Sequence, residues 1–375
     1  MKVRQICMMV LLGLGVIPAM QAQTFDKLWK EVEQAEKKSL PKTVIKLTDE
    51  IYQKGEKEKN SPQMLKAYAW RMKYREMLNP DSLYAGLKGL EQWVKQTDQP
   101  MDRAILHSLI AGIYANYAAN NQWQLRQRTE IVGQTPSADI REWTANMFVE
   151  KVRTNVKEAL ADSVLLLKTS SRDYIPFVEL GKTSEYYHHD LYHLLASRGI
   201  DALLQVEKLG SGYTETNAVN PVKQDIIAIY GNMLSAYKAA GLKEGYVLTA
   251  LNYLDWRRGA ERYIRPLQVK GEASVLTDDT YLKALNTLKS KYASEPICAE
   301  VYLAQARYAI EKQQQVNALQ LCDEAIRLYP GYDRINALKN LREEILAPYL
   351  NVYAADQAFP NEEICLLYTS DAADE

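Results

Sequence analysis

From Phe25 to Leu346 the apolar residues recur at three- and four-residue spacing almost without interruption, the period of amphipathic helices. Period-two strand patterns closed by hairpin turns are nearly absent. The spacing predicts a first helix pair over 25–37 and 42–54. Leu28, Val32 and Ala35 line one apolar face and Val44, Leu47 and Ile51 the other. Ser39-Leu40-Pro41 separates them, and Pro41 suits a helix first turn, where a missing N–H costs nothing. A second pair is predicted over 63–77 and 81–96, split by the turn signal Asn79-Pro80-Asp81. A third begins at Met101 with Ile105, Leu109 and Ile113 on one stripe, and Ser137-Ala138-Asp139-Ile140 opens a long helix reaching Ala161. Further helices are predicted over 187–206, 222–240 and 245–258.

Two stretches break the pattern. Residues 169–182 carry Ser170-Ser171, Pro176 and Gly181, and residues 259–278 carry Arg265-Pro266 and Gly271. They divide the chain into an N-terminal helical-repeat region (23–168), a middle helical region (169–276) and C-terminal helix pairs (277–346). The clearest repeat is the last, with helices over 296–310 and 316–329. Tyr308, Ala318, Ala325 and Pro330 fall close to where a tetratricopeptide repeat places its packing tyrosine, small residues and terminal proline, with Cys322 in place of an aromatic. A lone pair cannot bury its apolar face, so several pairs of similar length imply stacking. The expected fold is all-α, an array of antiparallel helix pairs forming a tetratricopeptide-like α-solenoid. Tyrosines outnumber phenylalanines 25 to 4. In a thin array such rings pack between helices while their hydroxyls reach water.

The ends read differently from the middle. Lys2 and Arg4, the apolar run 6–17 and Pro18-Ala19-Met20-Gln21-Ala22 have the form of a secretory signal peptide over 1–22, with a mature start at Gln23. That run is too short to span a bilayer, and no later stretch is apolar for long enough. The expected location is therefore the periplasm or cell envelope. Residues 365–375, Cys-Leu-Leu-Tyr-Thr-Ser-Asp-Ala-Ala-Asp-Glu, look like a translated sequencing-library adapter and are set aside. The natural chain is then expected to continue beyond Ile364. Residues 347–364, with Asn351-Val352-Tyr353 and Phe359-Pro360-Asn361, read as the first, cut-off strand of a β-sandwich.

The full chain holds 46 basic and 47 acidic residues, and trimming both ends leaves 44 of each. No global field attracts nucleic acid or an anionic membrane. Two cysteines survive trimming, Cys298 and Cys322, one on each helix of the last repeat. They are candidates for a disulfide, or else two buried thiols.

One cluster invites a chemical reading. Tyr186-Tyr187-His188-His189-Asp190-Leu191-Tyr192-His193 holds three of the four histidines. On a helix, His189 and His193 at i and i+4 could face one metal ion with Asp190 as a base. No third ligand follows in the sequence. The competing reading is an aromatic-rich helix N-terminus, with Asp190 at the positive end of the dipole and Tyr186, Tyr187, His188 and Tyr192 as a docking surface. Phosphate-binding glycine loops, serine-nucleophile elbows and cysteines paired with a base are absent, so the sequence implies no enzyme and no cofactor.

Several phrases carry a family resemblance: Thr24-Phe25-Asp26-Lys27-Leu28-Trp29-Lys30, the run 60–68 from Asn60 to Tyr68, Ser137 to Trp143, and Tyr187 to Ala196. Together they resemble the N-terminal region of large bacterial alpha-2-macroglobulin-like proteins over nearly all of 23–364. The resemblance implies a helical region preceding macroglobulin β-sandwich domains, in a protein that traps proteases after bait cleavage. No cysteine here stands in the Cys-x-Glu-Gln thioester motif, so neither bait nor thioester residues carry over. The implied partners are downstream macroglobulin domains and target proteases. The implied role is a non-catalytic scaffold or docking region of an exported peptidase inhibitor. The alternative is a stand-alone periplasmic tetratricopeptide-like module that binds protein or peptide.

Overall fold

A computed structural model describes residues 17–129, 137, 139–181, 190–209, 220–262, 276–347, 350–353 and 367–370. The fold is all-α. Two compact units divide the chain, Met1–Ser235 and Ala236–Glu375.

In the first unit, α1 (Ile17–Lys37), α2 (Pro41–Glu58), α3 (Ser61–Leu78), α4 (Ser82–Gln96) and α5 (Pro100–Asn120) follow one another across connections of two or three residues. Such short turns fold neighbouring helices back on each other. Each of the five packs on the next. The predicted faces are the packed ones: Val32, Ala35, Val44 and Ile51 join Phe25 and Trp29 in one core cluster, with Leu28 and Leu47 half-buried against it. Pro41 occupies the first turn of α2, and Asn60 caps α3 by accepting from the Gln63 N–H at 3.3 Å. As described, α1 runs across Ala22–Gln23, the expected processing point.

Beyond α5 the neighbour-to-neighbour order changes. After α6 (Gln122–Arg126) come α7 (Ala145–Ala159), α8 (Ser163–Lys168) and α9 (Leu191–Val206), and both α7 and α9 pack on α5 and on each other. The reason lies in α5, whose buried residues run all round it: Ala104, Ile105, Leu106, Ile110, Ala111, Tyr114, Ala115 and Ala118. A helix apolar on all sides needs partners on all sides. The predicted long helix from Ser137 is corrected here. Asp139 caps only a 3-10 turn, Ile140–Glu142, and α7 starts at Ala145. Between them Trp143 is extended, and its ring stacks on Tyr114 at 5.3 Å and meets Phe148 at 5.2 Å. Its indole N–H donates to the Ser137 carbonyl at 2.7 Å.

The irregular segment after Thr169 is packed within this unit. A 3-10 turn, Ser171–Tyr174, carries buried Tyr174, whose hydroxyl donates to Asp102 at 2.8 Å. The unit also holds a buried ion pair. Glu207, at the end of α9, faces Lys223 in the first turn of α10 (Pro221–Ala240), Nζ to Oε1 3.4 Å, with the side chains 8% and 2% exposed.

The second unit contains α11 (Lys243–Arg262), α12 (Asp278–Lys291), α13 (Cys298–Glu311), α14 (Gln315–Leu328) and α15 (Asn336–Leu346). Here α13 packs on α12 and α14 and also on α11 and α15. Ala318, Cys322 and Ala325 are fully buried on α14, which lets it approach α13 closely, and Tyr308 sets its ring 5.6 Å from Tyr281. A short strand β1 (Leu350–Tyr353) pairs antiparallel with β2 (Leu367–Ser370), Leu350 opposite Ser370. The partner strand thus comes from the residues read as adapter. Phe359-Pro360-Asn361 lies outside the described residues. Among the described residues no helix is long and apolar enough to cross a membrane.

The tyrosines do more than reach water. Tyr74 donates to Glu36 at 2.6 Å, Tyr114 to Glu91 at 3.1 Å, Tyr281 to Asp255 at 2.6 Å and Tyr332 to Glu300 at 2.9 Å. With Tyr174 and Asp102, each bond joins a phenol to a carboxylate on a different element.

Candidate functional site

Of the histidine-rich cluster, the described part begins at Asp190. Tyr186, Tyr187, His188 and His189 lie outside the described residues. Asp190 is the N-cap of α9, accepting from the His193 N–H at 2.7 Å. Asp190 also forms a bridge with Ser170, and Leu191 N–H donates to the Thr169 carbonyl at 2.9 Å. His193 is half-buried. Tyr192 is 3% exposed, with Leu195 and Ala196 also buried on the same helix, and burial followed by the Asp190 charge pushes its hydroxyl pKa up to about 12. The fourth histidine, His107, shares a 2.8 Å hydrogen bond with Asn155 through Nδ1. Among the described residues no group of histidine, cysteine or carboxylate side chains is placed to hold a metal ion.

The disulfide is not formed. Cys298 and Cys322 are both free and buried. The Cys298 thiol points to the Lys289 carbonyl at 3.6 Å, on the preceding helix rather than at Cys322. Burial raises both thiols, Cys322 to about 11, so neither is poised as a nucleophile.

A groove in the first unit, with an open volume of about 1260 Å³, was not anticipated. It lies where the α2–α3 turn, the α4–α5 turn and the segment 169–175 converge. Its apolar wall is three rings: Tyr52 and Tyr68 at 6.0 Å, with Trp93 5.7 Å from each. The Tyr68 hydroxyl donates to the Gly86 carbonyl at 2.9 Å, which fixes its ring. Arg71, paired with Asp49 at 2.7 Å, lies over Tyr52 and Tyr68 at 4.8 and 4.6 Å. Burial, as the leading cause, raises the phenol pKa of both tyrosines, which keeps them neutral hydrogen-bond donors at neutral pH.

The other wall is polar. Buried Asp102, in the first turn of α5, accepts from the hydroxyls of Ser61 and Tyr174 and so ties α3, α5 and the 3-10 turn together. Among the described residues it pairs with no cationic side chain; the positive end of α5 supports its charge instead. Burial first, then that bond, raises the Tyr174 hydroxyl well above its ordinary value. Among the described residues, Glu56, Glu58, Asp98 and Asp173 add four carboxylates to the lining against the one ammonium of Lys59. Two helix starts (α3, α5) and two helix ends (α2, α4) meet here, so their dipoles oppose one another and the side chains set the sign. The arrangement can hold an apolar stem against the rings and a positive head against the carboxylates.

Compared with protein-family models and with curated proteins, the chain matches none.

Proposed function

We propose that the chain is a non-catalytic helical scaffold and docking region, built as a tetratricopeptide-like stack, of an exported bacterial alpha-2-macroglobulin-like peptidase inhibitor. The observation that carries the scaffold reading is the packing of α13. It touches its immediate neighbours and, through α11 and α15, the helices next but one, as stacked helix pairs do. The burial of Ala318 and Ala325 on α14 and the Tyr308 ring 5.6 Å from Tyr281 support the scaffold reading. The family reading is supported by the sequence phrases at 24–30, 60–68, 137–143 and 187–196. On this reading bait, any thioester and the macroglobulin domains that contact target proteases lie downstream. The test is the coding frame past Ile364. Continuation into several β-sandwich domains is the expected result. A stop codon within a few residues overturns the inhibitor assignment and leaves a stand-alone binding module.

A further inference from the structure

We infer that the groove between the α2–α3 turn, the α4–α5 turn and the segment 169–175 seats an extended, lysine- or arginine-bearing peptide segment of a partner protein. The inference deepens the docking reading, since it names what docks, but it does not depend on the alpha-2-macroglobulin assignment.

Charge selects the partner. Among the described residues, four carboxylates at the surface of the groove and buried Asp102 face one ammonium in the lining, Lys59; the Arg71 guanidinium over the rings is paired with Asp49, and of the five carboxylates Glu58 alone is matched, by Lys54 at 2.8 Å. Because the helix termini cancel, this excess makes the groove negative within a chain that is otherwise balanced. An anionic or neutral segment would leave the carboxylates facing each other as water is displaced.

Shape and chemistry narrow the choice among cations. A bare metal ion is disfavoured because the carboxylates are spread along the groove and do not converge. Small-ligand sites run to about 300–1,000 Å³, whereas this groove is larger and open along its length. Arg71 already lies over Tyr52 and Tyr68, so the ring on which a lysine or arginine stem can lie with its charge close to the π-system is that of Trp93. Gln92 and Gln96, one turn apart on α4, and Asn60 and Gln99 on the turns supply amides that both donate and accept. Paired donors and acceptors suit the N–H and C=O groups of an extended main chain, which a polyamine lacks.

The test is fluorescence anisotropy on the full chain with a labelled peptide of alternating serine and lysine, its glutamate counterpart, and spermine as competitor. The lysine peptide should bind in preference to the glutamate one, with an affinity that falls as salt is raised. The triple variant Glu56→Gln/Asp98→Asn/Asp173→Asn, which alters exposed side chains only, should keep the thermal melt and weaken binding about fivefold or more. Trp93→Leu should weaken it as well. Equal binding of the two peptides, or unchanged affinity in a normally melting triple variant, overturns the inference. Spermine binding more tightly than the lysine peptide replaces the peptide with a small polycation, and overturns it too. None of these results bears on the coding frame, so the two readings fail separately.

Discussion

Replacing Lys223 by methionine removes a charge while nearly keeping the volume, and it strands the Glu207 carboxylate where the side chain is only 8% exposed. Asn220 already spends its amide N–H on the Glu207 main-chain carbonyl and its oxygen on the N–H groups of Val222 and Lys223. Breaking a buried pair from one side costs about 3–5 kcal/mol, whereas replacing both partners with apolar residues is often neutral or stabilising by about 1–4 kcal/mol. Lys223→Met and Glu207→Leu should therefore each be severe and the double variant mild. Hydrogen exchange read by mass spectrometry separates the first unit from the second, which a melt of the whole chain would not. Peptides from α9 should exchange about 150- to 5,000-fold faster in either single variant. Peptides from α13, in the other unit, serve as the reference. An unchanged α9 in the single variants, or a double variant as damaged as the two singles combined, would refute the reasoning.

Three further outcomes follow from other sites. Gly89→Ala gains about 0.5–1 kcal/mol in helix preference, but the added Cβ meets the Tyr68 hydroxyl, so overpacking of about 1–3 kcal/mol should make it net destabilising; adding Tyr68→Phe should restore part of the loss in a urea melt. The Asp278 carboxyl sits below its ordinary range, chiefly through its hydrogen bond to Lys312 and then that to Arg258, so its stabilising contribution is present above the unfolded pKa of about 3.9 and lost as pH falls through the lower folded value. Exposure keeps that contribution small, and Asp278→Asn should flatten the acid limb of exchange protection in α12, a slope unchanged by the substitution being the contrary result. Cys322 should escape alkylation by iodoacetamide in the folded chain and react only on unfolding; mapping the label there at the rate of an unfolded peptide would contradict its burial and raised pKa.

Much of the first unit is legible because the signals are local. The stripes at Val32, Ala35, Val44 and Ile51, Pro41 in a first turn and the turn around Asn79-Pro80-Asp81 each act within a few residues. Ser137-Asp139 misled for the same reason: a cap is a cap for one turn or for four, and the stacking of Trp143 on Tyr114 decided it from across the unit. Asp190 was read as first-turn and proved to be the cap itself, one step away, because a cap and a first-turn acid favour the same helix end. The groove could not be read in advance. Tyr52, Tyr68 and Trp93 look like ordinary core residues along the chain, and Asp102 meets Tyr174 across 72 positions. The one available clue was the density of carboxylates and amides at the two turns 56–61 and 96–102.

The phenol–carboxylate bonds give the 25-to-4 bias toward tyrosine a meaning beyond solubility. Apolar seams between helices are forgiving of sliding, because one aliphatic ridge resembles the next a turn along. A hydroxyl seated on Glu36, Glu91, Asp255 or Glu300 is not, since a slip of one turn, about 5.4 Å, carries it out of reach of its carboxylate and forfeits the bond. Each such bond keys one joint to a single axial setting. Exchanging these tyrosines for phenylalanine would keep the grease and lose the key, turning a stack with one register into one with several.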